Sequence, residues 1–264
     1  MTKKLLSAAV VAGTLLAMLA PLASFAATTS AFSPGDLIKG SGDTVYYFAP
    51  DGHRYVFPNS KTYFTWYKDF SMVKQIPDGQ LGEIPLGRTN VTYRPGYKMV
   101  KVTTDPKTYV VDQGGILRWV QSEQLAETLY GLNWKDQIDD VPDAYFTNYK
   151  VGTPIQTASD YNPADIMTQT TTISQDKQFD ETKAAINIGS VNDGFVPTSI
   201  TVKKGTTVTW TNGDVNPHTV TTSDWDSGNI APAGTYSWTY TSDGSFDYHD
   251  ADNTTMQGTV NVVN

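Results

Sequence analysis

GFVPTSITVKKGTTVTWTNGDVNPHTV, residues 194–220, decides how the last third of the chain folds. Ile200 and Val202 alternate with polar neighbours, then the turn Lys203-Lys204-Gly205 intervenes, and Val208 and Trp210 alternate again. Apolar residues at every second position place one face of an extended strand in a core, and short runs of this kind separated by turns predict a β-sandwich. Working outward, the same period continues in Tyr236, Trp238 and Tyr240 and in Phe246 and Tyr248. The expected strands are 185–188, 199–202, 206–211, 218–222, 235–241, 245–249 and 258–262, enough for two packed sheets in residues 182–264.

Upstream the texture changes. Residues 32–152 are rich in Tyr and Trp and contain an internal echo: Leu37-Ile38-Lys39 recurs as Met99-Val100-Lys101, Arg54-Tyr55-Val56 as Arg118-Trp119-Val120, and Ile76-Pro77-Asp78 as Val141-Pro142-Asp143, at offsets of 62 to 65. Thr44–Phe48 recurs more loosely as Pro106–Val110. This predicts two β-rich units with short helices, at 32–94 and 95–152. Each contains a hairpin, turning at Pro50-Asp51-Gly52 and at Asp112-Gln113-Gly114-Gly115. In the second, Ser122 is placed to cap a helix over 123–130 that ends at Gly131. The intervening stretch 153–181 has few large apolar side chains and the polar run Gln169-Thr170-Thr171-Thr172, which predicts an extended linker.

At the start, Lys3-Lys4, a mostly apolar run from Leu5 to Leu22, and Ser24-Phe25-Ala26 before Ala27 have the three parts of a secretory signal peptide over 1–26. The expected address is secreted, periplasmic or cell-surface, with no membrane span in the mature chain. The chain has 27 acidic against 19 basic residues, a net charge of −8, and loss of Lys3 and Lys4 would make it more acidic. Such a chain has no field to hold nucleic acid. With no Cys and only three His (His53, His218 and His249), disulfides, thiolate metal sites, Cys nucleophiles and imidazole-rich metal sites are excluded. No Ser-based nucleophile motif or Gly-rich phosphate loop is present, so the residues predict a protein that is not an enzyme. Its partner would be another protein or a cell-surface glycan.

Gly194-Phe195-Val196-Pro197, Ile200–Gly205, Val208–Asn212 and Pro217-His218-Thr219-Val220, followed by Asp243–His249 and Met256–Val260, resemble the cupredoxin family across 184–264. The later stretch is similar to its amicyanin and plastocyanin-like branch. The resemblance implies a Greek-key sandwich, one copper ion and electron transfer. It also implies copper ligands from a His on the fourth strand and a Cys-x-x-His-x-x-Met loop. Those positions fall here on His218, Asp250, Asn253 and Met256. The spacing is kept, while the Cys and the second His are replaced.

A type 1 copper centre depends on a short thiolate bond and two imidazoles, with a weak axial thioether. A carboxylate and an amide do not replace them, so the donor set predicts no electron carrier and no bound cofactor, with copper the one metal the resemblance allows. Three readings stay open. In the first the pocket is dead, Asp250 and Asn253 bond within their loop, and the chain is a secreted or cell-surface binding or structural protein. In the second, His218 and Asp250, helped by water or by His249, hold copper in a weak type 2-like site. In the third a reduced metal centre is catalytic.

The N-terminal units resemble segments of exported bacterial surface proteins, a likeness that assigns no residue roles. Their aromatic residues Tyr63, Trp66, Tyr67, Trp119 and Trp134 read either as core filling or as a surface that stacks on sugar rings or a partner. Trp66, Trp119 and Trp134 are the candidates for such a surface.

Overall fold

The computed structural model describes residues 31–264; the signal peptide read over 1–26 lies outside them. The described chain is mainly β, with short helices between the strands. A first sheet is built from β1 (Leu37–Lys39), β2 (Tyr46–Phe48), β3 (Arg54–Val56) and β4 (Val73–Gln75), in the order β3-β2-β1-β4. Gly52 in the β2–β3 turn has φ 77°, a conformation in which a side chain is strained. Its α-carbon also faces the Ala185 methyl, which leaves no room for one. Helix α1 (Ser60–Trp66) starts where the Asn59 side chain accepts a hydrogen bond from the Thr62 amide. Helix α2 (Asp78–Glu83) follows β4.

The second sheet uses the same pairing plan. It contains β5 (Met99–Val102), β6 (Thr108–Asp112), β7 (Ile116–Trp119), β8 (Ile138–Val141) and β9 (Lys150–Val151), in the order β8-β5-β6-β7-β9. In both sheets two hairpin-linked antiparallel pairs are followed by a parallel return beside the first strand. Helix α3 (Glu123–Tyr130) is capped by Ser122 and stopped by Gly131 at φ 82°, as its sequence predicts. Helix α4 (Asp143–Phe146) follows β8.

Both faces of each sheet are covered, which explains the density of Tyr and Trp. Met99 and Val110 pack with Leu125 and Tyr161 on one side of the second sheet, while Val100, Tyr109 and Val111 pack with Tyr93 on the other. On the first sheet, Ile38 and Phe48 pack against Val196, a residue of the sandwich. Burial of this kind contributes about 1.5–3 kcal/mol per large apolar side chain.

The stretch 153–181 is a correction to the extended linker that its composition predicts. It holds α5 (Pro163–Gln169) and α6 (Ile173–Lys177). Asn162 caps α5 with Pro163 in its first turn, and Thr172 and Gln175 form a reciprocal capping box on α6. Ile155, Tyr161 and Ile173 are buried in the cores beneath the sheets. The apolar residues are few, but each sits at a contact.

The C-terminal sandwich contains β10 (Lys183–Ile188), β11 (Phe195–Val196), β12 (Ser199–Lys203), β13 (Thr207–Asn212), β14 (Thr235–Thr239), β15 (Gly244–His249) and β16 (Gln257–Val263). One sheet runs β11-β10-β13-β14 and the other β12-β16-β15. Ile186, Val208 and Trp210 of the first meet Ile200, Tyr248 and Val260 of the second. The expected strand at 218–222 is absent; His218 and Thr221 make only isolated bridges. The cause is local: the Thr219 amide donates to the Asp250 carboxylate and the Val220 amide to the Ser227 hydroxyl, so neither is available to a neighbouring strand.

Candidate metal centre

The loops at one end of the sandwich bring His218 and Asp250 together. Asn212, fully buried at the end of β13, donates from its side-chain amide to the carbonyls of Asn216 and Ile230 and accepts from the Asp214 amide, which fixes the loop 213–217. His218 follows Pro217 and exchanges backbone hydrogen bonds with Ile230 at 3.2 and 2.7 Å. Asp250 sits just past β15, and its amide donates to the Met256 carbonyl, closing the last loop.

The imidazole of His218 is 3% exposed and lies between two carboxylates: Nδ1 is 2.7 Å from Asp250 Oδ2, and Nε2 is 3.0 Å from Asp214 Oδ2. Asp250, itself 1% exposed, also accepts from the amide and hydroxyl of Thr219 and from the Asp252 amide. Burial works against charge on His218, but the hydrogen bonds and negative charges of Asp250 and Asp214 outweigh it and raise its pKa above 6.5. Burial likewise opposes the Asp250 carboxylate and is overcome by donation from His218 and Thr219, so its pKa falls. The His218 hydrogen bond lowers that of Asp214. Both ring nitrogens thus face carboxylate oxygens, an arrangement that favours the charged imidazole.

This donor set does not fit type 1 copper. The thiolate is missing, and the nitrogen facing Asp250 is spent on a charge-assisted hydrogen bond. Asn253 turns its oxygen back to the amide and hydroxyl of Thr255, and Met256 is buried in the sandwich core. The two carboxylates lie on opposite nitrogens of one ring, so they cannot converge with it on one ion. Among the described residues no group of three or more His, Cys, Asp or Glu is arranged to hold a metal. Tyr248 is buried in the core, and the backbone of His249 after it pairs with Thr221. Of the four family positions, two touch through side chains and two do not. Sequence reasoning missed Asp214; the available signal was a carboxylate four residues before the lone His of a Pro-His turn.

The aromatic candidates do not form one surface. Trp119 and Trp134 border a groove of about 380 Å3 in the second unit, with Lys107 and Lys135 over their rings at 5.4 and 5.2 Å. Trp66 donates to the Thr92 carbonyl, carries Arg94 over its ring at 5.9 Å, and borders a separate cleft beside the sandwich. His53 stays in its hairpin turn, bonded to Asp51.

Residues 165–262 match the family described as a cupredoxin-like domain. Among solved structures, a reduced amicyanin carrying one substitution is 27% identical, with a TM-score of 0.29, over 30% of this chain and 80% of that one. A purple cupredoxin from Nitrosopumilus maritimus is 24% identical, with a TM-score of 0.30, over 31% of this chain and 100% of that one. A copper-containing nitrite reductase from Thermus scotoductus is 21% identical, with a TM-score of 0.28, over 30% and 22% of the two chains. No curated protein matches the chain. Among the described residues no helix is long and apolar enough to cross a membrane. The C-terminal part of this chain is a cupredoxin-like domain.

Proposed function

We propose that this is a secreted or cell-surface protein with a binding or structural role, not an enzyme, in which a cupredoxin-like sandwich carries an ionic pin where its relatives carry copper. The observation behind this is the 2.7 Å contact between His218 Nδ1 and Asp250 Oδ2. It joins the two loops that a copper ion would join, using the residues at two of the family's ligand positions. The imidazole is also withdrawn from acid–base chemistry, because both of its nitrogens are engaged by carboxylates of the protein itself. The signal peptide read over 1–26 supports the address, and the duplicated aromatic units at 32–94 and 95–152 support a binding role.

The test is a Cu(II) titration of the purified protein, followed by visible absorption and electron paramagnetic resonance. The natural chain is expected to bind no copper at micromolar metal. Asp250→Cys combined with Asn253→His restores the family's spacing and is expected to produce an intense thiolate-to-copper band. Micromolar Cu(II) binding that disappears in His218→Ala and survives in His53→Ala would overturn the proposal.

A further inference from the structure

We propose that the cleft between the first sheet and the sandwich binds a neutral glycan chain, with its aromatic wall against the sugar rings and two free protein hydroxyls reading the sugar hydroxyls. The cleft has a volume of about 530 Å3. That is an ordinary size for a small-ligand site, and such sites favour junctions between packed units. Its walls are tied together: the Thr201 amide donates to the Ser33 hydroxyl at 2.8 Å, and the hydroxyls of Tyr47 and Ser174 are 2.5 Å apart.

One wall is lined by the part-buried rings of Trp66 and Tyr67, with Tyr47 itself only 2% exposed and Met72 at 66% exposure. The facing wall comes from the sandwich and α6 and is rich in hydroxyls. Thr206 is 3% exposed and lines the cleft, yet its hydroxyl has no hydrogen-bond partner among the described residues. The Tyr67 hydroxyl, on the opposite wall, likewise has none among them. Burial raises the Tyr67 pKa, which keeps its hydroxyl a neutral donor. Neither hydroxyl is among the buried atoms left without a partner, so both open onto the cleft, where the hydroxyls of a ligand can meet them.

The charges bear on the kind of ligand. Lys183 is paired with Asp180, which leaves one carboxylate, Glu181, and one ammonium, Lys203, without an ion pair among the described residues. A lining balanced in this way offers neither a polyanion nor a polycation a matching run of charge. Sugar rings offer C–H faces to aromatic side chains and hydroxyls at their edges, and so meet both walls at once. A proline-rich peptide would meet the aromatic wall but bring few groups for Thr206 and Tyr67.

The inference rests on the reading of the chain as a binding protein and names the class of ligand. It draws on none of the residues around His218, so a failed glycan titration and a positive copper titration point to different errors. The experiment is calorimetric titration of the purified full chain with chitohexaose, cellohexaose and mannohexaose, and with a proline decamer. At least one hexasaccharide is expected to bind with Kd below about 1 mM. Tyr67→Phe and Thr206→Val, which delete only hydroxyls, should each weaken it about five- to tenfold, the loss of one net hydrogen bond, with Tm unchanged. The inference is overturned if no hexasaccharide binds in that range. It also falls if binding survives the two substitutions combined, or if only the proline decamer binds.

Discussion

Asp250 and Asp176 are each 1% exposed, yet the protein shifts their pKa values in opposite directions. Asp250 faces the imidazole of His218 and its pKa is lowered. Asp176, in α6, accepts from the Gly114 amide at 2.9 Å and the Thr92 hydroxyl at 3.2 Å, and burial pushes its pKa up to about 6. Lys177 is adjacent in sequence, but its ammonium is directed to the Thr89 hydroxyl and the Asn90 carbonyl. The two sites differ in depth as well as in partner: burial opposes the charge at both, and it wins at Asp176 and is overcome at Asp250. At Asp176 the Gly114 and Gly115 amides, the Lys177 charge and the Thr92 hydroxyl together leave burial dominant, whereas at Asp250 donation from His218 and Thr219 and from the Asp252 amide reverses the balance.

The largest effect should come from removing the charge at Asp250. Asp250→Asn leaves the His218 imidazolium with only Asp214 beside it. Losing one partner of a buried ion pair costs about 3–5 kcal/mol, and the lower end is expected here because Asp214 reaches the surface. Urea unfolding at pH 6 measures it. Asp176→Asn keeps an oxygen for the Gly114 amide and removes a carboxylate that burial disfavours, so it should change stability by less than about 1 kcal/mol at pH 7. Equal losses in the two variants would break the comparison.

Much of the sandwich could be read from sequence because its strands obey a simple period: Ile200 and Val202, and Val208 and Trp210, point inward as the alternation requires. The copper-ligand spacing likewise led to His218 and Asp250. What alternation could not reveal was the fate of 218–222, where side chains of Asp250 and Ser227 take the amides that a strand would use. Nor could composition reveal the structure of 153–181, because Ile155, Tyr161 and Ile173 act through long-range packing, which leaves little local pattern. Asp214 was hidden for a related reason: its role depends on Asn212 folding the loop back so that the carboxylate meets His218. The Trp66 cleft is assembled from segments far apart in the chain, and no single stretch announces it.

The smallest expected effect is also the most diagnostic, because it separates the two aspartates by pH in one set of unfolding curves. Asp176 has a folded pKa above its ordinary 3.8, so it favours folding when protonated, and that contribution is lost as pH rises from about 4 to about 6. His218 is also raised, and its contribution is complete below 6.5 and lost as pH climbs through its folded value. Asp250 and Asp214 are lowered, so theirs is present above 3.8 and lost as pH falls through their folded values. Asp176→Asn should therefore flatten the slope between about pH 4 and 6 while keeping the decline above about 6.5, and His218→Asn should do the reverse. A stability profile in which both substitutions flatten the same window would mean that one titration controls both sites, and the contrast between the two carboxylates would be lost.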